Sequence, residues 1–140
     1  MALPPALIKL LKTLAVSVAP MIWKYLKDHP EIWRDLIDSL KKVVVRRGAG
    51  PKELSKTIIG LREQVAYLRE SADDDGEVRR AEDWSRRLDN LDRVAKLLSD
   101  GASKNEIKEL REQVLALRKV IIEAFVVEQA EDAADRKSVN

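Results

Sequence analysis

An acidic segment in the middle of the chain, SADDDGEVRRAE over residues 71–82, holds the side chains best suited to bind a metal ion. Counted from the first residue of this segment, carboxylates stand at positions 3, 5 and 12 and a glycine at position 6; these are Asp73, Asp75, Glu82 and Gly76. Calcium binds several oxygen ligands at once, so carboxylates at this spacing could supply part of a calcium shell. Calcium binding is therefore the first chemical hypothesis that the sequence raises.

The spacing resembles that of an EF-hand loop, but the first ligand of such a loop does not match. Ser71 stands where an EF-hand has an aspartate, Arg79 and Arg80 add positive charge, and no second loop of this kind follows. The alternative is a linker in which Asp74 or Asp75 caps the next helix and favours its N-terminal dipole. The sequence leaves both interpretations open.

Residues suited to catalysis are sparse. The chain has no cysteine and one histidine, His29, which precedes a proline between two helical patterns. The segment GAGPK, residues 48–52, has glycines and a lysine but follows a helical pattern and lacks the spacing of a phosphate-binding loop. No zinc motif is present. We therefore expect no enzyme activity, no catalytic residue, no cofactor and no small-molecule substrate.

The elements that would position any site are predicted to be helices throughout. The chain of 140 residues has the size of one domain, with 36% charged residues, 4% aromatic residues and five glycines. This composition favours long helices over sheets, which need frequent turns. The expected fold is all-α: an antiparallel helical bundle or coiled-coil hairpin over residues 51–130, preceded by a basic amphipathic helical hairpin over residues 1–47 and followed by a frayed tail over residues 131–140.

Two similar stretches, LREQVAYLRE from residue 61 and LREQVLALRK from residue 110, mark helices that are expected to share one packing register. Their apolar residues recur at alternating steps of three and four, as in packed heptads, and the segment around residue 84 repeats the pattern. The predicted helix-packing seam consists of Leu61, Val65, Leu68, Trp84, Leu88, Leu91, Leu110, Val114 and Leu117. Short links at 71–76 and 99–103 should make neighbouring helices antiparallel. The repeat thus predicts packing rather than chemistry.

Two helical patterns precede these, at about residues 5–27 and 30–47. Pro20 should bend or break the first near Ala19. Gly48 should end the second in a left-handed conformation, and Pro51 should begin the next helix. Gly101 is expected to stop a later helix before a capping box formed by Ser103 and Glu106.

Positive charge is concentrated in the first part of the chain. Residues 1–62 hold 12 Lys/Arg against 5 Asp/Glu, whereas residues 63–140 hold 14 against 19. Lysines and tryptophans beside an apolar stripe suit peripheral attachment to an anionic membrane, and the cluster over 41–52 could contact nucleic-acid phosphates. The residues predicted to contact a membrane or polyanion are Lys9, Lys12, Trp23, Lys24, Lys27, Trp33, Lys41, Lys42, Arg46, Arg47 and Lys52. The same apolar stripe could equally pack into the core of the domain.

The function predicted from these patterns is that of a non-enzymatic helical interaction or scaffold protein. Its coiled-coil arm would bind a protein partner or a second copy, and its basic segment would attach to a membrane surface; association with nucleic acid through residues 41–52 is the alternative. The uncharged stretch 13–23 is much shorter than the roughly 20 residues of a transmembrane helix. We expect a cytoplasmic location, with peripheral attachment at the inner face of the membrane, and a signal peptide is the weaker alternative.

Overall fold

Helices account for the regular secondary structure of residues 2–139, the part of the chain whose backbone is described in the computed structural model; side chains are described for residues 2–136. This confirms the all-α class. The elements are α1 (Pro5–Thr13), α2 (Pro20–Asp28), a short 3-10 turn (Pro30–Ile32), α3 (Trp33–Lys41), α4 (Pro51–Glu70), α5 (Asp75–Leu98) and α6 (Lys104–Val139).

Local signals fix most of the helix ends as predicted. Pro20 and Pro51 begin α2 and α4, where the missing amide hydrogen of proline costs no helical hydrogen bond. The side chain of Asp74 accepts a hydrogen bond from the amide of Glu77 at 2.9 Å and so caps α5. The predicted capping box at the start of α6 is also confirmed, and Gly48 and Gly101 have φ angles of +82° and +126°.

The first helical pattern is divided by residues 14–19 into α1 and α2, as the predicted break near Ala19 requires, because Pro20 cannot donate a hydrogen bond within a helix. The second helical pattern differs from its prediction. The second pattern stays helical only as far as Lys41, so the prediction of a helix to residue 47 is wrong.

The segment after α3 is held by side chains of α6 instead of by helical hydrogen bonds. Arg118 donates a hydrogen bond to the carbonyl oxygen of Val43 at 3.2 Å, and Arg111 donates to that of Ala49 at 2.9 Å. Since these partners lie more than sixty positions away in sequence, no local pattern could have revealed them. They satisfy backbone acceptors that a continued helix would have used internally.

The last helix continues through the segment for which the sequence predicts a frayed tail. Within it, Ala130 and Ala133 are buried. The small alanines permit close packing without the large apolar side chains that the prediction sought. Residue 140 and the side chains of residues 137–140 lie outside the described part, so the prediction for those positions is not addressed.

One core joins the N-terminal helices to the rest of the chain. Leu11 and Leu14 are 2% and 1% exposed and belong to the same cluster of buried residues as Leu61 and Ile121. Helix α1 packs on α3, α2 packs on α6, and α4 packs on both α5 and α6. The apolar stripe of the N-terminal segment is therefore covered by the chain itself, as the core alternative predicts. None of the helices within residues 2–139 combines the length and the apolar character needed to cross a bilayer.

The predicted helix-packing seam is buried at seven of its nine positions, which are Leu61, Val65, Leu88, Leu91, Leu110, Val114 and Leu117. The other two, Leu68 and Trp84, are only partly buried although they pack against the same core. Both line a cleft bordered by α5 and α6.

Candidate interaction groove

A cleft of about 780 Å³ opens where Leu68 and Trp84 leave the core. Helix α5 forms one side of it, the loop before α2 contributes Ser17 and Ala19 at the other, and α6 runs along its base. The residues that α6 contributes are Val120, Glu123, Ala124, Val127, Glu128 and Glu131. Because successive members are three or four positions apart or adjacent, they form one stripe along this helix.

A second cavity of about 440 Å³ continues the cleft along the same two helices. It shares Arg87 and Val120 with the first and reaches Gln113 on α6. We call the two together the α5–α6 groove. The eighteen steps from Gln113 to Glu131, at about 1.5 Å each, make the groove about 27 Å long.

Apolar side chains of α6 line much of the α5–α6 groove. Ala116 and Ala124 contribute only methyl groups, and Val120 is 42% exposed. Leu91 and Leu117, which are also core residues, line its narrower part. A partner could therefore bury apolar surface here without displacing any part of the chain.

Charged side chains line the groove on both α5 and α6. On α5, the guanidinium of Arg80 lies over the ring of Trp84, 5.9 Å from the ring centroid, Arg87 pairs with Asp83 at 2.9 Å, and Glu77 also lines the cleft. On α6, Glu123 and Glu128 are five positions apart, about 140° around the helix, so they flank the apolar side chains on opposite sides. The α6 surface is thus acidic, whereas α5 contributes charges of both signs.

Glu128 is the most unusual residue of the cleft. It is 9% exposed, and among the side chains described for residues 2–136 none donates a hydrogen bond to it or forms a salt bridge with it. Burial, followed by the charges of Asp132, Glu77, Asp73 and Glu131, raises the pKa of Glu128 from 4.5 to about 7. Glu128 is thus mostly covered as a residue, while its unpaired carboxylate oxygens are not fully enclosed and reach the cleft.

Three carboxylates around Glu128 have partners of their own. The hydroxyl of Tyr67 donates a hydrogen bond to Asp132. Glu123 accepts a hydrogen bond from the amide of Ser17 at 3.4 Å, and Glu77 accepts one from the amide of Asp73 at 2.8 Å. Burial and the hydrogen bond to Asp132 raise the pKa of Tyr67 to about 12, so its hydroxyl stays protonated as a donor.

The acidic segment 71–82 is not an EF-hand loop. Helix α5 begins at Asp75, so the positions that would supply the later calcium ligands are helical, and Glu82 forms a salt bridge of 3.0 Å with Arg69. Among the residues that the structure describes, no group of three histidine, cysteine, aspartate or glutamate side chains is arranged to hold a metal ion. The alternative interpretation, a helix-capping linker, agrees with the structure at Asp74.

The basic residues singled out by the sequence lie outside the α5–α6 groove. All nine are exposed: Lys9, Lys12, Lys24, Lys27, Lys41, Lys42, Arg46, Arg47 and Lys52. Two of them pair with α4, Lys42 with Glu63 at 3.0 Å and Arg46 with Glu53 at 2.8 Å.

The two tryptophans predicted to contact a membrane are half-buried, and His29 has a structural role. Trp33 donates a hydrogen bond to the carbonyl oxygen of Leu26 at 2.6 Å, which ties the start of α3 to the end of α2. His29 is 6% exposed, and its Nδ1 lies 3.1 Å from a carboxylate oxygen of Glu31. These side chains connect neighbouring elements.

The glutamates of α6 that line the groove were not predicted from the sequence, although a signal for Glu128 was present. The heptad steps of the last helix, from Leu117 to Ile121 and Ala124, continue to residue 128. A glutamate at an inward position is a buried polar residue, and such residues need a partner or a function. Its neighbours Glu77 and Arg80 could not be assigned from sequence, because they approach it only through the packing of α5 on α6.

No family model matches the chain, and comparisons with curated proteins and with solved structures give no match either. The function is therefore to be inferred from the groove itself.

Proposed function

We propose that this protein is a non-enzymatic interaction protein that holds one amphipathic helix of a partner protein in the α5–α6 groove. The observation that carries this proposal is a row of apolar side chains on α6 within a groove about 27 Å long, consisting of Ala116, Leu117, Val120, Ala124 and Val127 and flanked by charged residues. A helix with one apolar face fits such a surface, and recognition of helices in grooves is a recurrent mode of protein binding.

The framework that we infer for the groove is an antiparallel bundle or coiled-coil hairpin of α4, α5 and α6. Arg62 of α4 pairs with Asp89 of α5 at 2.6 Å, and Arg69 pairs with Glu82 at 3.0 Å. Since the residue number rises in α4 as it falls in α5, the two helices run in opposite directions. A groove on long, packed helices is preformed, which lowers the entropic cost of binding.

The base of the groove favours a helix over an extended peptide. Ala116 and Ala124 let the backbone of a docked helix come close to α6, and Val120 between them offers an exposed apolar side chain. An extended peptide would also need unpaired backbone groups on the groove wall. Those groups are already used within α5 and α6, whose backbones are helical.

The charged residues of the groove would set the orientation and the specificity of the partner. Basic residues of the docked helix would face Glu123 and Glu131 of α6, and an acidic residue beside α5 would face Arg80. Electrostatic complementarity of this kind accelerates association and disfavours helices docked in the reverse direction.

Contact of the basic N-terminal segment with an anionic surface is a second proposal, supported by the exposure of Lys9, Lys12, Lys24 and Lys27. Because Leu11 and Leu14 are buried, such contact would be electrostatic and would not involve insertion of the leucine stripe. The exposed basic residues of 41–52 support nucleic acid as the alternative polyanion. A cytoplasmic location at the inner face of a membrane remains the setting that we propose for the first of these contacts.

A selection experiment tests the groove with helices of varied sequence, so it does not require the natural partner. Binders of the purified full-length protein are selected from a displayed library of amphipathic helices. Each helix has about 18 residues, which matches the length of the groove. We expect the selected helices to carry basic residues beside their apolar face and to lose at least tenfold in affinity when Val120 is replaced by Glu.

Leu97→Glu provides the matched control, because Leu97 is an 80% exposed apolar residue of α5 that does not line the groove. Its replacement should leave binding unchanged. A library that gives no binders, or binders that are insensitive to Val120→Glu, would contradict the proposed function.

A further inference from the structure

Glu128 presents a carboxylate that the described part of the chain leaves unpaired in a cleft open to ligands. It is 9% exposed, lines the 780 Å³ cleft, and receives no hydrogen bond from any side chain described for residues 2–136. The carboxylate oxygens of Glu128 are not fully enclosed, so a ligand that enters the cleft can reach them. A cation in the cleft would pair with a carboxylate that is partly withdrawn from water, where such a pair is stronger than at an open surface.

The nearby groups that could have neutralised Glu128 are engaged elsewhere. Arg80 stacks over Trp84, and Arg87 pairs with Asp83. Tyr67 donates its hydroxyl hydrogen to Asp132. The carboxylates of the cleft are also not grouped so as to hold a metal ion among the residues described. An inorganic cation is thus a poor candidate, and an organic cation is the remaining one.

The walls around Glu128 suit a cation that is attached to an apolar stem. Leu68, Trp84, Ala124 and Val127 line the same cleft and would contact the stem. Glu131 of α6 and Glu77 of α5 add negative charge near Glu128. An alkyl chain that ends in a positive charge satisfies both parts of the cleft at once.

We propose that the cleft around Glu128 is a binding site for an alkylammonium group, supplied by a lysine side chain of the helix docked in the α5–α6 groove. The inference rests on the proposed function for the source of the ammonium, whereas the site itself rests on Glu128 and the cleft. The inference specifies which residue of the partner helix would bind at Glu128. This residue would be a lysine within the apolar face of the helix, with its side chain in the cleft, in addition to the basic residues on the flank of the helix.

Binding of the ammonium requires Glu128 in its charged form, so the affinity should rise with pH. The charged groups that face Glu128 are Glu77, Arg80 and Arg87 from α5, Asp73 from the preceding linker, and Glu123, Glu131 and Asp132 from α6. The carboxylates and burial together hold the pKa of Glu128 near 7. A bound ammonium would lower that pKa, because an adjacent opposite charge favours the carboxylate.

The site is tested on the full-length protein with n-butylammonium chloride as the probe. Carboxyl carbon NMR of the glutamate side chains follows Glu128 directly, with an equal concentration of n-pentanol as the neutral control. We expect a saturable shift of the Glu128 signal at pH 8, at least tenfold weaker binding at pH 5.5, and no comparable shift with n-pentanol.

Two variants decide whether Glu128 is responsible. Glu128→Gln should weaken n-butylammonium binding at least tenfold, as read from the signals of Glu131 and Trp84, while Glu112→Gln, at an exposed position of α6 outside the groove, should not. Equal binding by the Glu128→Gln variant, or no saturable shift in the unmodified protein, would overturn the cation site.

The two proposals fail separately. Selected helices should carry a lysine in the apolar face, and its replacement by norleucine should weaken binding at least tenfold to the unmodified protein but not to Glu128→Gln. Helices that bind the groove equally well with norleucine would overturn the lysine anchor and leave the proposed function standing. Saturable binding of n-butylammonium by a protein that binds no helix would support the site and contradict the proposed function.

Discussion

The hydroxyl of Tyr67 on α4 donates a hydrogen bond to the carboxylate of Asp132 on α6, a residue 65 positions later in the chain. The Tyr67 ring also meets Phe125 of α6 edge to face, with 5.5 Å between the ring centroids and 75° between the ring planes. This pair joins the end of α4 to the far half of α6. It thereby fixes the part of α6 that carries Glu128, next to Asp132.

Tyr67→Phe is expected to lower the free energy of unfolding by about 1 to 3 kcal/mol, because Asp132 would keep its partly buried position without its donor. Urea denaturation followed by circular dichroism measures the change. Tyr25→Phe is the control, since it removes a hydroxyl without affecting Asp132. A loss no larger than that of Tyr25→Phe would show that the hydrogen bond contributes nothing to stability.

Leu11→Ala should destabilise the protein by about 2 to 5 kcal/mol, as much as Leu110→Ala. The reason is that Leu11 and Leu110 are each 2% exposed and belong to one core. The exposed Arg86 gives the reference, and Arg86→Ala should cost only a few tenths of a kcal/mol. Insertion of α1 into a membrane would be favoured instead if Leu11→Ala left the free energy of unfolding nearly unchanged and weakened a salt-sensitive binding to anionic vesicles.

The contribution of Glu128 to the free energy of unfolding should fall as the pH rises from 4.5 to about 7. The folded protein holds the proton of Glu128 more tightly than the unfolded chain does, because its pKa is raised from 4.5 to about 7. The stabilisation that comes from this proton is therefore fully present below pH 4.5, and it is lost as the pH rises through about 7.

Glu128→Gln removes this dependence and supplies the comparison. The variant should be more stable than the unmodified protein at pH 8, and the difference should shrink towards pH 4.5. Denaturant titrations at the two pH values measure it. A difference of constant size across this range would mean that the pKa of Glu128 is not raised in the folded protein.

Calcium at millimolar concentration should leave the melting temperature unchanged. Calcium bound at 100 times its Kd would stabilise the folded state by about 2.7 kcal/mol, which would raise the melting temperature. We expect no such rise, because Asp75 and Glu82 lie in a helix and Glu82 pairs with Arg69. Thermal denaturation with calcium and with a chelator makes the comparison. A rise that disappears in Asp75→Ala would restore the calcium hypothesis.

The sequence by itself determined the features that depend on near neighbours in the chain. The cap at Asp74 or Asp75, the capping box at Ser103, the break before Pro20 and the helix start at Pro51 were predicted because each interaction spans about one turn. The heptad steps identified most of the seam for the same reason: a residue that recurs every three or four positions lies on one face of a helix.

Only the tertiary structure decided where those faces meet. Residues after Lys41 leave the helical pattern, and two arginines of α6 hydrogen-bond to this segment. Arg111 donates to the carbonyl oxygen of Ala49, and Arg118 donates to that of Val43. Leu11 and Leu14 had two physically reasonable destinations, a bilayer or a core, because either one removes apolar surface from water. The packed chain places them in the core.

The α5–α6 groove depends on the same long-range packing. The heptad periodicity places Trp84 and Glu128 on inward faces of their helices. It does not predict that the two residues line one cleft. It also does not predict that Glu77 and Asp73 come close enough to raise the pKa of Glu128. Local hydrogen bonds and the heptad repeat are properties of one helix, so they can be derived from its sequence. A cleft and the field inside it are properties of several helices at once, and they exist only when the chain has folded.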